Sequence, residues 1–149
     1  MSALGTLITV CKCLVLDRQD RFLRFAMPVD EFLEDFMWLC NQLVTESTPS
    51  VPGEFHEWYD ESQFLMIQGV GFHDIFRNSS ERVGIQPTSR PVIMDEYIFD
   101  SFFGRFFDTV VRMSLRLMVT VDGRVGTVPK KARKEVWWLC CWVATFLCC

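Results

Sequence analysis

Residues 110–129, VVRMSLRLMVTVDGRVGTVP, contain the pattern that decides the fold in the middle of this chain. Every second side chain is apolar, and these are Val111, Met113, Leu115, Leu117, Val119 and Val121. Polar residues fill most of the intervening positions, which is typical of a half-buried β-strand. Asp122-Gly123 favours the positive φ angles of a tight primed turn. We therefore expect an antiparallel hairpin that returns through residues 124–128 and ends at Pro129, which has no N–H for the ladder.

The N-terminal segment predicts a second hairpin. Residues 7–16, LITVCKCLVL, alternate and are rich in β-branched side chains, as strands are. The polar residues 17–20 supply a turn, and residues 21–25 supply the returning strand. The first sixteen residues contain no basic residue ahead of their apolar stretch, so we expect no cleaved signal peptide.

The remaining segments predict helices and loops in a mixed order. A helix begins after Pro28, is capped by Asp30 and runs to about Val44, with Phe32, Phe36, Leu39 and Leu43 along one face. Residues 47–53 predict a loop, residues 64–70 a strand, and residues 78–91 a long surface loop. These elements predict an α+β fold: one mixed domain over residues 1–149, with a central antiparallel hairpin and packed aromatic-rich helices.

Aromatic residues crowd residues 95–107, which we expect to form a helix that is either buried on two sides or docked on a partner. The candidate partner-binding residues there are Phe99, Phe102, Phe103 and Phe106. The chain contains 14 Phe, more than a small core usually needs, so an apolar surface for a partner is the alternative to a dense core.

Charge and cysteine usage narrow the function classes. The net charge of −4 supplies no global attraction to nucleic acid or to anionic lipid. Seven cysteines, an odd number that includes adjacent pairs, make a poor disulfide framework and indicate a reducing compartment. Cys11 and Cys13 are separated by one residue, whereas paired zinc ligands usually have two to four between them. We expect no cofactor and no metal.

Residues 6–15 match the small-Leu-xxx-Cys-xxx-aliphatic spacing of the elongin-binding box found in adaptors of cullin ubiquitin ligases. The candidate contact residues are Leu7, Cys11 and Val15. Such boxes are amphipathic helices with the Leu and Cys on one face, at positions i and i+4. The strand-like alternation of this segment argues against that helix, so both interpretations remain open.

The central hairpin resembles the adenovirus early-region-4 34-kilodalton protein family. Residues 115–117, LRL, and residues 121–129, VDGRVGTVP, resemble that family's LRL, DGxVG[ST]V and Pro pattern, and Leu139-Cys140-Cys141 resembles its LCC segment. Weaker similarity extends the resemblance over most of the chain. The family's many Cys and His positions are mostly unmatched here.

The resemblance implies a non-enzymatic viral early protein of the host nucleus and cytoplasm. Such a protein would bind host elongin B and C and a cullin, act with the large early-region-1B viral protein, and direct host defence factors to degradation. The runner-up hypothesis is a small membrane-associated protein anchored through its aromatic, Cys-rich C-terminus at Cys148-Cys149, although we consider a membrane unlikely. An enzyme that pairs Cys40, Cys140 or Cys141 with His56 or His73 is the third.

Overall fold

A computed structural model describes residues 2–22, 25–83 and 91–132 and confirms the α+β fold. Its helices are α1 (Ala3–Val15), α2 (Val29–Thr45), α3 (Gly53–Ser62), α4 (Phe72–Val83) and α5 (Phe102–Phe106), and α5 continues into a π-helical turn at Phe107–Arg112. Its strands are β1 (Met66–Ile67), β2 (Val70–Gly71), β3 (Leu115–Val119) and β4 (Val125–Pro129). Each sheet consists of one antiparallel pair, β1–β2 and β3–β4.

The predicted opening hairpin is wrong, because residues 3–15 form helix α1. Ser2 caps the helix by accepting a hydrogen bond from the Gly5 N–H at 3.1 Å. The fully buried apolar residues follow a helical spacing, and they are Leu7, Val10, Cys11 and Leu14. Packing of that face against α2, α4, α5 and β4 outweighs the local β propensity of Ile, Thr and Val. After α1, only a single antiparallel bridge forms, between Arg18 and Ala26.

The centre of the core is aromatic and is organised around α2. The predicted helix is confirmed, although it begins at Val29 and has no side-chain cap, so Asp30 lies inside its first turn. The Phe36 ring contacts the rings of Phe55, Trp58 and Phe102, with centroids 5.7 to 6.4 Å apart. These aromatic contacts join α2 to α3 and α5. Helix α3 follows the loop and was not predicted.

Two further predictions between residues 64 and 91 need correction. The predicted strand over 64–70 is divided by a turn in which Gln68 and Gly69 both have positive φ, leaving the short pair β1–β2. The predicted surface loop begins as helix, because α4 extends to Val83. Residues 84–90 and 133–149, including the Cys-rich terminus, lie outside the described residues.

The central hairpin is confirmed, with Leu117 opposite Thr127 and Met118 opposite Gly126. It differs from the prediction at both ends. The strand begins at Leu115, because residues 107–112 are helical. Within the turn, Gly123 has a positive φ of 84° but Asp122 does not, and the Thr120 N–H donates to the Arg124 carbonyl at 2.9 Å. The connection is therefore a three-residue loop with a left-handed glycine, rather than a two-residue primed turn.

Candidate functional site

Four arginines surround a cavity of about 250 Å³ where the C-terminal end of α1 meets the π-helical turn. Its lining residues are Val15, Leu16, Arg18, Arg21, Arg105, Asp108, Thr109, Arg112 and Met113. We call this cavity the arginine pocket. Asp108 is the only acidic residue among the lining residues that the structure describes, so the pocket brings four guanidinium groups around one carboxylate.

The end of α1 directs Arg18 and Arg21 toward the pocket. Leu16 and Asp17 both have a left-handed backbone, with φ of 54° and 52°, and the Asp17 N–H donates to the Lys12 carbonyl at 2.8 Å. The left-handed conformation ends the helix in the way that a glycine at this position commonly does. It costs energy for residues that have a side chain. The chain reverses at this point, so that it contacts the π-helical turn through Arg21.

The other side of the pocket is built on consecutive helical turns. Arg105 lies in α5, and Asp108 and Arg112 follow it at intervals of three and four residues, which places all three on one face. The Thr109 hydroxyl donates to the Arg105 carbonyl at 3.0 Å. A π-helical turn changes the register of a helix and occurs frequently at functional sites.

Asp108 holds three of the arginines in place. Its carboxylate accepts hydrogen bonds from Arg105 and Arg112, and the Arg21 Nε lies 3.7 Å from Oδ2. Burial alone would raise the pKa of Asp108, but the hydrogen bonds and charges of Arg112 and Arg105 outweigh burial and lower this pKa below its usual value. The carboxylate is therefore ionised and pairs with three of the arginines around it.

Arg105 is the most buried of the four arginines, with only 5% of its side chain exposed. Its Nε donates to the Phe99 carbonyl at 2.6 Å, and its Nη2 donates to Asp108. A buried guanidinium needs such partners, because desolvation of an unpaired charge is costly. Arg105 thus fixes the position of the Asp108 carboxylate.

Arg18 differs from its neighbours because it makes none of the ion pairs between described residues. Burial, and then the positive charge of Arg105, lower the pKa of Arg18 below its usual value. Both causes indicate a cation whose environment does not offset its charge. The arginine pocket therefore carries more positive charge than Asp108 neutralises.

Aromatic and apolar side chains lie next to the arginines and continue to the surface. The Arg21 guanidinium lies 3.9 Å from the centroid of the Phe99 ring, and that of Arg112 lies 5.8 Å from the centroid of Tyr97. Tyr97 is 68% exposed, and Met113 at the pocket edge is 52% exposed. We call Arg21, Tyr97, Phe99, Arg112 and Met113 the arginine–aromatic surface.

The structure separates the sequence-predicted partner-binding residues into two groups. Leu7, Cys11, Phe102, Phe103 and Phe106 are buried in the hydrophobic core, with at most 1% exposed. Val15 is equally buried, at 1% exposed, and also lines the arginine pocket, whereas Phe99 is only partly buried and lies beneath Arg21.

The four arginines of the pocket were not among the residues predicted from the sequence. A signal for part of the site is nevertheless visible in residues 105–112, RFFDTVVR, where Arg, Asp and Arg recur at helical spacing. No such local spacing indicates Arg18 or Arg21, because the tertiary fold brings them to the site.

The environments of Cys11 and Cys40 are opposite to that of a reactive cysteine. Burial raises the pKa of Cys11, and the negative charge of Asp35 raises it further. Burial likewise raises the pKa of Cys40. A nucleophilic cysteine needs a lowered pKa, because the thiolate is the reactive form. In the described part of the chain, no group of three or more Cys, His, Asp or Glu residues is arranged to hold a metal ion.

None of the helices formed by the described residues has both the length and the apolar composition to cross a membrane. No protein-family model, curated protein or solved structure matches this chain.

Proposed function

We propose that this protein is a non-enzymatic adaptor that binds another protein through the arginine–aromatic surface. The observation that carries the proposal is the exposure of Tyr97 and Met113 beside arginines that Asp108 already holds in place. Aromatic residues, Met and Arg are enriched in protein interfaces, and Tyr and Arg are frequent among the residues that dominate binding energy.

Ordered side chains strengthen this surface as a binding site. Arg112 lies 5.0 Å from the centroid of the Phe107 ring and donates a hydrogen bond to Asp108, so its side chain is restrained before a partner arrives. Binding then costs less conformational entropy than it would for free arginine side chains. Phe99, which is partly buried beneath Arg21, supports the surface from the inside.

The resemblance in the central hairpin suggests which partners to test: host elongin B and C, a cullin, and the large early-region-1B protein. The full chain should be purified from cells that express these proteins together. The double change Tyr97→Ala with Met113→Ala should lower the recovery of the partner that uses this surface by about tenfold or more, as expected for central interface residues.

Phe64→Ala is the matched control for that experiment. Phe64 is 78% exposed and lies outside the arginine–aromatic surface, so its removal should leave recovery unchanged. If none of the four proteins is recovered with the full chain, the adaptor function is contradicted. If Phe64→Ala and the double change at Tyr97 and Met113 lower recovery of the partner equally, the assignment of binding to the arginine–aromatic surface is contradicted.

Elongin recruitment through α1 is the second candidate, and the helical conformation of residues 3–15 favours it. Leu7 and Cys11 lie on one face, as an elongin box requires, but this face is fully buried. Binding through it therefore requires α1 to leave the core. Hydrogen exchange measures this directly. If elongin B and C draw α1 out of the core, their addition should increase hydrogen exchange of the α1 amides. Unchanged exchange would show that α1 is not the binding element.

A further inference from the structure

The positive charge of the arginine pocket exceeds what its own carboxylate neutralises. Four arginines and one aspartate line it, so the lining residues carry three more positive than negative charges. We propose that the arginine pocket binds the phosphate group of a phosphorylated side chain on the partner protein. This inference rests on the protein-binding function proposed above and names the chemistry of the partner.

A phosphate monoester matches the charge and the hydrogen-bonding capacity of the pocket. It carries nearly two negative charges at neutral pH and presents three strong acceptor oxygens. Asp108 occupies donors of Arg105 and Arg112. Arg18, by contrast, has no ion-pair partner among the described residues. Guanidinium groups bind phosphate oxygens through paired hydrogen bonds, so Arg18 and Arg21, whose side chain is 47% exposed, can hold the ligand.

The size of the cavity indicates one chemical group rather than a whole ligand. Sites that enclose a complete small molecule usually have volumes of roughly 300 to 1,000 Å³, and this cavity has about 250 Å³. The rest of the ligand must then lie outside, over Tyr97 and Met113, which are exposed at the edge of the site. A side chain that projects from a peptide meets both conditions, since the peptide backbone can cross the exposed surface.

The overall charge favours a protein as the source of the phosphate. At a net charge of −4, the chain lacks the positive field that draws proteins to nucleic acid or to anionic membranes. The pocket nevertheless brings four arginines together at one place. Binding of a single phosphate group by a cluster of arginines is a recurring mode of peptide recognition.

The test compares binding of the purified full chain to two degenerate peptide libraries, one with a fixed central phosphoserine and one with serine at that position. The phosphoserine library should be retained and the serine library should not. Arg18→Gln should lower retention by about tenfold or more, because it removes a charged donor to the phosphate. Arg116→Gln is the control, since Arg116 is an exposed arginine outside the pocket. This variant should retain the phosphoserine library as well as the unchanged protein does.

A second measurement uses the unchanged protein and does not depend on the stability of a variant. Inorganic phosphate, titrated into the protein, should shift the Nε–H resonances of Arg18 and Arg21 and leave that of Arg116 in place. Vesicles of phosphatidylcholine and phosphatidic acid form the third arm. Equal retention of both libraries, retention by the vesicles alone, or unshifted pocket resonances would each overturn the proposal.

The outcome is separable from that of the adaptor function. If a partner is recovered equally well before and after phosphatase treatment, protein binding stands and recognition of phosphate fails. If the pocket binds the phosphoserine library but none of the expected partners is recovered, the pocket chemistry stands and the proposed partners fail.

Discussion

Asp108→Asn tests the electrostatic core of the arginine pocket. The change keeps the size of the side chain and removes the charge that offsets Arg105, whose side chain is only 5% exposed. Removing one partner of a buried ion pair typically costs about 3 to 5 kcal/mol, because the remaining charge is left uncompensated. Arg21 and Arg112 are more exposed, at 47% and 32%, so their ion pairs with Asp108 contribute little to the loss of stability. We therefore expect a loss of about 3 kcal/mol, at the lower end of that range.

Urea and thermal unfolding measure this loss. For a chain of this length, about 3 kcal/mol corresponds to a fall in Tm of roughly 6 to 12 °C. Asp122→Asn is the control, because Asp122 is an exposed carboxylate that also pairs with an arginine, Arg124. It should leave the unfolding midpoint unchanged. If the Asp108 and Asp122 variants unfold at the same midpoint, Asp108 does not stabilise the buried arginine.

The pH dependence provides the second readout for Asp108→Asn. The folded-state pKa of Asp108 lies below its usual value, so its stabilising contribution is fully present above the unfolded-state pKa of about 3.9. The contribution is lost as the pH falls through the lower, folded-state value. The stability difference between the unchanged protein and Asp108→Asn should therefore shrink below about pH 4. A difference that is constant down to strongly acidic pH would refute the assignment of the loss to this charge.

Three further experiments test the core. Phe55→Ala should destabilise the protein by about 3 to 5 kcal/mol in urea unfolding, because this buried ring packs at the centre of the aromatic cluster; a loss typical of a surface substitution would contradict that position. Gly104→Ala should lower Tm because its added methyl group would overlap a backbone carbonyl oxygen, whereas Gly53→Ala, with open space around it, should not. Iodoacetamide at neutral pH should label Cys11 and Cys40 only after unfolding, as peptide mass spectrometry can show, because burial hides both thiols and raises their pKa.

Local patterns predicted those elements in which propensity and packing agree. Residues 115–129 form the expected hairpin because the alternation, the left-handed Gly123 and the terminal Pro129 all favour it. Helix α2 was predictable because Phe32, Phe36, Leu39 and Leu43 recur at helical spacing and acidic residues stand in its first turn. In α1, by contrast, two patterns compete: the β-branched residues favour a strand, while Leu7, Val10, Cys11 and Leu14 also satisfy the spacing of a helix. Burial of that face decided between them.

The candidate site was predictable only in part. The spacing of Arg105, Asp108 and Arg112 is local, so a helix there would bring the three together. Arg18 and Arg21 lie more than eighty residues earlier in the chain, and no local pattern pairs them with Asp108. Phe102, Phe103 and Phe106 were predicted either to be buried or to bind a partner, and the structure buries all three in the core.

The sequence by itself determined the α+β class, the central hairpin and helix α2, because each depends on periodicity and turn chemistry over a few neighbouring residues. Tertiary structure decided the conformation of α1 and the location of the arginine pocket. The physical reason is the same for both. The free energy that selects α1 comes from burial against distant segments, which outweighs local preference. The same packing brings Arg18 and Arg21 to the pocket, where Arg21 contacts Asp108.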